Sequence, residues 1–156
     1  MRLEIKLNVS IPKIIVGDAD ALIALFNGQD KHSSEALVII EELISIGGGI
    51  IYPVTAIAEA ITVFQRKLTR PDIAGVIAKN VKESKLTIEA VDLGILEAAA
   101  NLFDPGGSKQ NTLFDAIVAA VAKKYSIDTI FSFDEWYLKQ GFKLAGKTST
   151  SGTGAG

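Results

Sequence analysis

Residues 14–26 read IIVGDADALIALF, and this stretch decides the fold class. Residues 14–17 form a short apolar run of the length of a buried strand, whereas the apolar residues of 19–26 recur at the spacing of a helical face. Asp18 stands at the junction between the two. Because a strand that passes directly into a helix is the repeating unit of α/β domains, the stretch predicts a sheet with helices packed on it.

The same alternation continues along the rest of the chain. Further strands are predicted at residues 50–52, 86–91, 129–133 and, at a sheet edge, 142–144, and further helices at residues 33–46, 55–68, 71–82, 93–103, 112–125 and 134–139. Ser33 or Ser34 is expected to cap the second helix. Parallel strands need crossover helices that cover both faces of the sheet, so this order predicts an α/β fold of three layers, α/β/α, with a mostly parallel central sheet.

One domain accounts for most of the chain. The alternating pattern covers residues 13–146 without an internal repeat. Residues 1–12 form an N-terminal extension in which Leu3, Ile5 and Leu7 alternate with charged residues, so that it could add a strand or a partner surface. Residues 147–156 are mostly Gly, Ser and Thr, and we expect a flexible tail there.

The composition excludes several kinds of site. The 156 residues carry a net charge of −2, so a nucleic-acid partner would need a local basic patch. There is no Cys and one His, His32, which excludes thiolate zinc sites, disulfides and a Cys nucleophile and leaves oxygen atoms as metal ligands. Charged residues interrupt every long apolar run, and the amino-terminal residues lack a signal-peptide pattern. We therefore expect a cytoplasmic protein that does not enter a membrane.

Four carboxylates occupy unusual places in this pattern. Asp18 and Asp134 directly follow predicted strands, and ligands of open α/β sheets bind beyond the carboxyl ends of strands. Asp115 is the only charged residue from 112 to 122, in a helix that is apolar nearly all round. Glu59 is the only acidic residue of the helix at 55–68. These four are the candidate functional residues.

Each of the four also has a structural explanation. Asp18 could cap the first helix, and Thr112 with Asp115 fits a capping box. Ser132 with Glu135 fits a second capping box, and Asp134, in the first turn of a predicted helix, could complement the helix macrodipole. Glu59 could lie on an exposed helix face.

Electrostatics distinguishes the two readings if the four carboxylates converge. Two carboxylates about 6 Å apart repel by roughly 3 kcal/mol at an effective dielectric constant of about 20, so four together oppose folding by something on the order of 10 kcal/mol. That rivals the stability of a small domain. Such a cluster needs bound cations or raised pKa values, and carboxylate ligands favour Mg²⁺ or Mn²⁺.

Four segments of the sequence resemble the acidic motifs of PIN domains. They are VGDADALIAL at residues 16–25, TAIAE at residues 55–59, LFDAIVAAVA at residues 113–122 and TIFSFD at residues 129–134. All four occur in the family's order, spacing and structural context, with Phe142 beyond the last. The similarity covers residues 13–145, nearly the whole predicted domain.

The resemblance implies a PIN-like fold and a metal-dependent ribonuclease. It places the family's catalytic and metal-binding quartet at Asp18, Glu59, Asp115 and Asp134, with Mg²⁺ or Mn²⁺ as the cofactor. Asp18 and Asp115 would be the central ligands, and the other two would bind directly or through waters. The implied reaction is endonucleolytic cleavage of single-stranded or structured RNA by metal-activated water.

Three further residues are expected to support the ligands. Asp20 occupies a position that the family usually fills with a small polar residue, so it adds a charge or a hydrogen bond. Thr112 and Ser132 carry hydroxyls close to the acids and could orient them, although helix capping explains both equally well.

Contacts with RNA are expected from basic residues along the rim. The candidates for phosphate contacts are Arg66, Lys67, Arg70, Lys123, Lys124 and Lys139. The alternative is that these residues form solvated helix faces. His32, on a polar loop, is expected to be an ordinary surface residue rather than a general base.

The resemblance also suggests protein partners. Many small PIN domains that stand alone are toxins held inactive by a small antitoxin, and this chain is similar to them in size and layout. The amphipathic helices at residues 55–68 and 71–82 offer apolar surface for an antitoxin or for a second copy in a homodimer, unless core packing uses it.

Two other functions remain open at this point. A phosphatase of the haloacid-dehalogenase type would use Asp18 as nucleophile and Asp20 as acid and base, and it would need a downstream Lys. A catalytically silent PIN-like binding module would keep the acidic pocket only for folding or for partner contact.

Overall fold

The fold is built on a sheet of parallel strands. The computed structural model describes residues 10–146. Within them the strands are β1 (Ile14–Gly17), β2 (Gly49–Pro53), β3 (Thr87–Glu89), β4 (Thr129–Phe131) and β5 (Lys143–Leu144). Their order is β3-β2-β1-β4-β5, and every neighbouring pair is parallel. The predicted α/β fold with a parallel sheet is confirmed.

Helices connect and cover these strands. In the described range they are α1 (Ala19–Phe26), α2 (Ser33–Ser45), α3 (Val54–Thr62), α4 (Pro71–Lys82), α5 (Leu93–Leu102), α6 (Leu113–Lys124) and α7 (Trp136–Lys139). A π-helical turn, Val63–Lys67, extends α3, and the backbone N–H of Leu68 closes it on the carbonyl of Val63.

The sheet separates two packed layers of helices, because successive strand residues point to opposite faces. Ile15 of β1 packs with α1 and α2 on one face, whereas Val16 packs with α5 and α6 on the other. Ile130 and Phe131 of β4 alternate in the same way. A further cluster beside β2 joins α1, α3 and α4. These contacts give the three layers predicted from the sequence.

One local prediction is wrong, and a second is right in extent but differs in helix type. The N-cap of α2 is His32 and not Ser33 or Ser34, and it makes no side-chain capping bond. The turn before α2 is closed by Asp30, whose Oδ1 accepts from the backbone N–H of His32 at 2.8 Å. The predicted helix 55–68 is α-helical only to Thr62, whose hydroxyl donates to the carbonyl of Ala58 at 2.8 Å just before the π-helical turn.

Parts of the predicted domain organisation lie outside the described residues. These are residues 1–9 of the proposed N-terminal extension and the proposed tail at 147–156. Residues 10–12 form no strand, and Ile11 is buried beside α1 and α2. Between residues 10 and 146, no helix has both the length and the apolar character needed to cross a membrane.

The centre of the sheet positions the site. The neighbours β1 and β4 pair Gly17 with Phe131, and the backbone N–H of Asp18 donates to the carbonyl of Phe131 at 3.0 Å. Gly17 is required at this end because a Cβ there would lie 2.2 Å from Cε1 of the Tyr52 ring. The segments that follow β1 and β4 therefore leave the sheet side by side.

Candidate active site

Asp18 lies at the centre of the candidate site, at the end of β1, and is 5% exposed. Its Oδ1 accepts from the backbone N–H of Ala19 at 2.6 Å, which caps α1, and its Oδ2 accepts from the Tyr137 hydroxyl at 2.7 Å. Burial raises the pKa of Asp18 well above its usual value, and the charges of Asp20 and Asp115 raise it further. Asp18 therefore caps the helix and also belongs to a cluster of carboxylates.

Asp20 faces the segment that follows β4. Its Oδ2 accepts from the backbone N–H of Phe133 at 2.8 Å and from the Ser132 hydroxyl at 3.0 Å. Its Oδ1 is buried and has no hydrogen-bond partner among residues 10–146. Burial raises the pKa of Asp20 to about 6, although the hydrogen bonds from Phe133 and Ser132 oppose the shift. Asp20 thus brings both a charge and hydrogen bonds to the site.

Ser132 connects three of the aspartates. Its hydroxyl lies 3.0 Å from Oδ2 of Asp20 and 3.4 Å from Oδ2 of Asp18, so its single proton is shared between them, and it accepts from the backbone N–H of Asp134 at 3.1 Å. The capping box predicted for Ser132 is wrong, because Glu135 is itself the N-cap of α7. Ser132 is buried among the acids instead.

Asp115 and Thr112 form the capping box that the sequence predicts at the start of α6. The backbone N–H of Thr112 donates to Oδ2 of Asp115 at 2.9 Å. Burial raises the pKa of Asp115, and the charge of Asp134 adds to this, whereas hydrogen bonding from Thr112, Asn111 and Tyr137 opposes it. Asp115 therefore both caps α6 and belongs to the carboxylate cluster.

Asp134 and Glu59 complete the cluster from two other elements. Oδ1 of Asp134 accepts from the backbone N–H of Trp136 at 2.9 Å, and its Oδ2 accepts from the Asn111 amide at 2.9 Å. Glu59 is half-buried on α3, and burial raises its pKa, with further contributions from the charges of Asp115 and Asp20. Glu59 does not lie on a fully exposed face, contrary to the structural alternative.

The five carboxylates interact with one another but pair with no cationic side chain between residues 10 and 146. Asp18, Asp20, Glu59, Asp115 and Asp134 take part in none of the ion pairs of the described residues. Their oxygens are the ligands that hard divalent cations prefer. Oδ1 of Asp20, which has no hydrogen-bond partner among residues 10–146, is available to coordinate a metal ion. Within residues 10–146, however, no three acidic or imidazole groups already stand close enough to hold a metal ion. The donor set fits such an ion, which would have to draw the side chains together.

Two residues of the site were missed in the sequence analysis. Tyr137 is fully buried and donates to Asp18, and burial, followed by the charges of Asp18 and Asp115, raises its pKa well above the usual value. Asn111 donates to Asp134 across a separation of 23 residues. The sequence held one signal for each residue. Tyr137 comes three residues after Asp134, and Asn111 directly precedes the helix cap Thr112.

A groove with a volume of about 540 Å³ opens beside the acids. Asp20 and Asp134 line it together with His32 and Phe133. The His32 ring is stacked on the Phe133 ring, with centroids 4.1 Å apart, so the partly exposed His32 side chain packs against another residue of the groove. Lys31 also lines the groove and was not among the predicted phosphate contacts.

The six predicted phosphate contacts have different surroundings. Arg66, Lys67, Lys123 and Lys139 are exposed. Arg70 is paired with Asp72 at 2.8 Å, and Lys124 with Glu89 at 2.9 Å. None of the six lines the groove described above.

Comparison with known proteins identifies the family. A model of the PIN domain family matches residues 15–143. The crystal structure of VapC20 from Mycobacterium tuberculosis, a sarcin-ricin loop cleaving toxin, has a TM-score of 0.70 and 21% sequence identity to this chain, and the match covers 82% of this chain and 95% of VapC20. At that identity the likeness shows a shared fold. A comparison with curated proteins gave no match. The chain belongs to the PIN domain family.

Proposed function

We propose that this protein is an endoribonuclease that depends on Mg²⁺ or Mn²⁺ and cleaves phosphodiester bonds of single-stranded or structured RNA. The observation that carries this proposal is the cluster of five carboxylates around the carboxyl ends of β1 and β4 in a PIN domain. Among residues 10–146 none of the five has a cationic partner. Hydrolysis of a phosphodiester requires that the negative charge on the phosphate and the leaving oxygen be neutralised. A cluster of carboxylates can contribute to this only by holding cations.

The proposed ligands are the acidic quartet. Asp18 and Asp115 would bind the ion centrally, and Glu59 and Asp134 would complete the coordination. The raised pKa values of Asp18, Asp115 and Glu59 support this, because a cation would relieve the repulsion and desolvation that raise them. A divalent ion held by these residues would supply Lewis acidity and lower the pKa of a water molecule bound to it.

The surrounding residues of the chain orient the acids. The Tyr137 hydroxyl and Ser132 bind Oδ2 of Asp18, and the Asn111 amide binds Oδ2 of Asp134. Donors that hold carboxylate oxygens fix the rotamers and favour the ionised form. We infer that these three residues position the ligands and take no proton during the reaction.

RNA would approach along the groove and the neighbouring exposed helix ends. Lys31 supplies a positive charge beside the acids. Arg66, Lys67, Lys123 and Lys139 are exposed and available for phosphates, whereas Arg70 and Lys124 would first have to leave their carboxylate partners.

A role as the toxin of a toxin–antitoxin pair is part of the proposal. The layout of VapC20, a toxin, supports it, since almost the whole of that chain matches. The helices proposed for partner contact carry exposed apolar side chains besides their buried ones: Val54 on α3, Leu68 after the π-helical turn, and Val76 and Val81 on α4. This surface could receive an antitoxin or a second copy of the chain.

The alternative functions have less support. A dehalogenase-type phosphatase needs a Lys beside its nucleophile, but no ion pair within residues 10–146 reaches Asp18. A silent binding module keeps the same geometry and is distinguished only by activity.

The test is cleavage of a labelled single-stranded RNA with Mg²⁺, with Mn²⁺ and with EDTA. The expected result is cleavage that EDTA abolishes and that Asp18→Asn and Asp115→Asn reduce by at least about 100-fold. Asp128→Asn is the matched control, because Asp128 precedes β4 at the opposite end of the sheet and is exposed. Absence of cleavage by folded wild-type protein with either metal, on single-stranded and structured RNA alike, would favour the silent binding module.

A further inference from the structure

An aromatic pair forms one wall of the groove. The His32 and Phe133 rings are 4.1 Å apart between centroids and inclined by 3°, so the two rings lie flat on each other. Phe133 packs edge-on against the buried Phe131, with centroids 6.2 Å apart. The pair is therefore anchored in the core, while 35% of the His32 side chain remains exposed.

The same pair is tied directly to the acidic cluster. The backbone N–H of Phe133 donates to Oδ2 of Asp20 at 2.8 Å, and Asp134 is the next residue. The rings and both aspartates line one groove. A ligand stacked on the rings would thus reach Asp20 and Asp134 without leaving the groove.

The chemistry of the groove selects the kind of ligand. A half-exposed aromatic surface in a polar groove suits a flat ring that carries polar groups at its edge. Unpaired RNA bases are recognised by stacking on aromatic and His side chains and by hydrogen bonds to their edges. Gln110 supplies an amide for such an edge, and Lys31 supplies an ammonium group for an adjacent phosphate.

We propose that His32 and Phe133 form a stacking platform for one unpaired nucleobase, and that this platform determines where the RNA strand lies relative to the acidic cluster. That the bound strand is RNA rests on the proposed nuclease function. It assigns His32 a role in binding, where its exposed face contacts the base.

The test uses single-stranded RNA hexamers that carry the fluorescent base 2-aminopurine at each position in turn. Ca²⁺ replaces Mg²⁺, because it also binds carboxylate oxygens and neutralises the acids. We expect one labelled position to be strongly quenched on binding to wild-type protein. His32→Ala should remove that quench and weaken binding by roughly 5- to 100-fold, whereas His32→Phe should keep both.

Controls separate stacking from general damage to the protein. Phe103→Ala removes an exposed aromatic ring at the end of α5, on the other face of the sheet, and should leave quench and affinity unchanged. Circular dichroism and thermal melts of every variant check the fold. The proposal is overturned if the hexamers do not bind, if no labelled position is quenched, if His32→Ala keeps the quench, or if His32→Phe behaves like His32→Ala.

Cleavage with Mg²⁺, measured separately, distinguishes this proposal from the proposed function. If the protein cleaves RNA but shows no quench that depends on His32, the proposed nuclease function stands and the proposed platform is wrong. If the quench depends on His32 but no metal supports cleavage, the proposed platform stands and the proposed nuclease function is wrong.

Discussion

The hydroxyl of Tyr137 donates a hydrogen bond of 2.7 Å to Oδ2 of Asp18, and the two side chains are buried together at the end of β1. The residues are 119 positions apart in sequence. Burial raises the pKa of Asp18, and this hydrogen bond is the leading effect that opposes the rise. Tyr137 therefore favours the ionised form of Asp18, which is the form that binds a cation.

Tyr137→Phe should weaken Mn²⁺ binding by about 10-fold and cleavage by a similar factor. A hydrogen bond to a charged group contributes about 1.5–3 kcal/mol, and its loss raises the pKa of Asp18 while the ring keeps its packing. The measurements are a Mn²⁺ titration and the pH profile of cleavage, whose acid limb should move to higher pH. Tyr125→Phe is the matched control, because it removes a hydroxyl that binds Glu89, which is not a member of the carboxylate cluster. An unchanged Mn²⁺ affinity in Tyr137→Phe would show that the hydroxyl serves packing alone.

Mn²⁺ should stabilise the folded protein. An ion at about 100 times its dissociation constant adds roughly 2.7 kcal/mol, which corresponds to a rise in Tm of about 5–10 °C for a domain of this size. Differential scanning calorimetry with Mn²⁺ and with EDTA measures the gain. Asp18→Asn and Asp115→Asn should lose it, and Asp128→Asn should keep it. A gain that survives both substitutions would place the ion elsewhere.

The protein without metal should lose stability as the pH rises from 4 to 7. Burial raises the pKa of Asp20 to about 6 in the folded state, from 3.8 for an unperturbed Asp, so the folded state holds a proton that the unfolded state releases in this range. The stabilising effect of that proton is complete below about pH 4 and is lost as the pH passes through 6. Urea denaturation in EDTA across this range measures the loss.

In Asp20→Asn, the loss of unfolding free energy between pH 4 and pH 7 should be smaller by something on the order of 3 kcal/mol. This is the free-energy equivalent of the pKa shift at Asp20. Part of the slope remains, because the pKa values of Asp18, Asp115 and Glu59 are raised in the same direction. Asp104→Asn, in an exposed turn, serves as the control and should reproduce the wild-type profile. A slope that is equally steep in Asp20→Asn would contradict the assignment.

Thr112→Ala should destabilise the domain by about 0.5–2 kcal/mol at neutral pH, because α6 loses the hydroxyl of its capping box. Thr112→Ser keeps that hydroxyl and should restore most of the stability. Urea midpoints of the two variants provide the comparison. Equal midpoints in Thr112→Ala and wild type would show that the cap contributes little.

Local sequence patterns predicted the fold and the approximate positions of the acids. Asp18 and Asp134 could be located because each follows a short apolar run, and parallel strands bring such ends to one edge. Asp115 could be located because a lone charge stands out in the apolar α6. These inferences need only the periodicity of a few neighbouring residues.

Contacts between distant side chains could not be predicted in the same way. The bond from Tyr137 to Asp18 and the stacking of His32 on Phe133 depend on rotamers that only the packed structure determines. At Ser132 the local pattern was misleading, because its spacing to Glu135 fits a capping box, yet its hydroxyl is taken by Asp18 and Asp20. Tertiary hydrogen bonds outweighed the local motif there.

The position of β4 beside β1 has a consequence for the newly made chain. Asp18 and Asp20 are synthesised early, but Asp134, Ser132 and Tyr137 arrive more than a hundred residues later and join them only when β4 docks next to β1. A nascent chain on the ribosome therefore holds an incomplete set of acids until β4 emerges and docks. Any RNA cleavage that uses the full set has to wait for that strand.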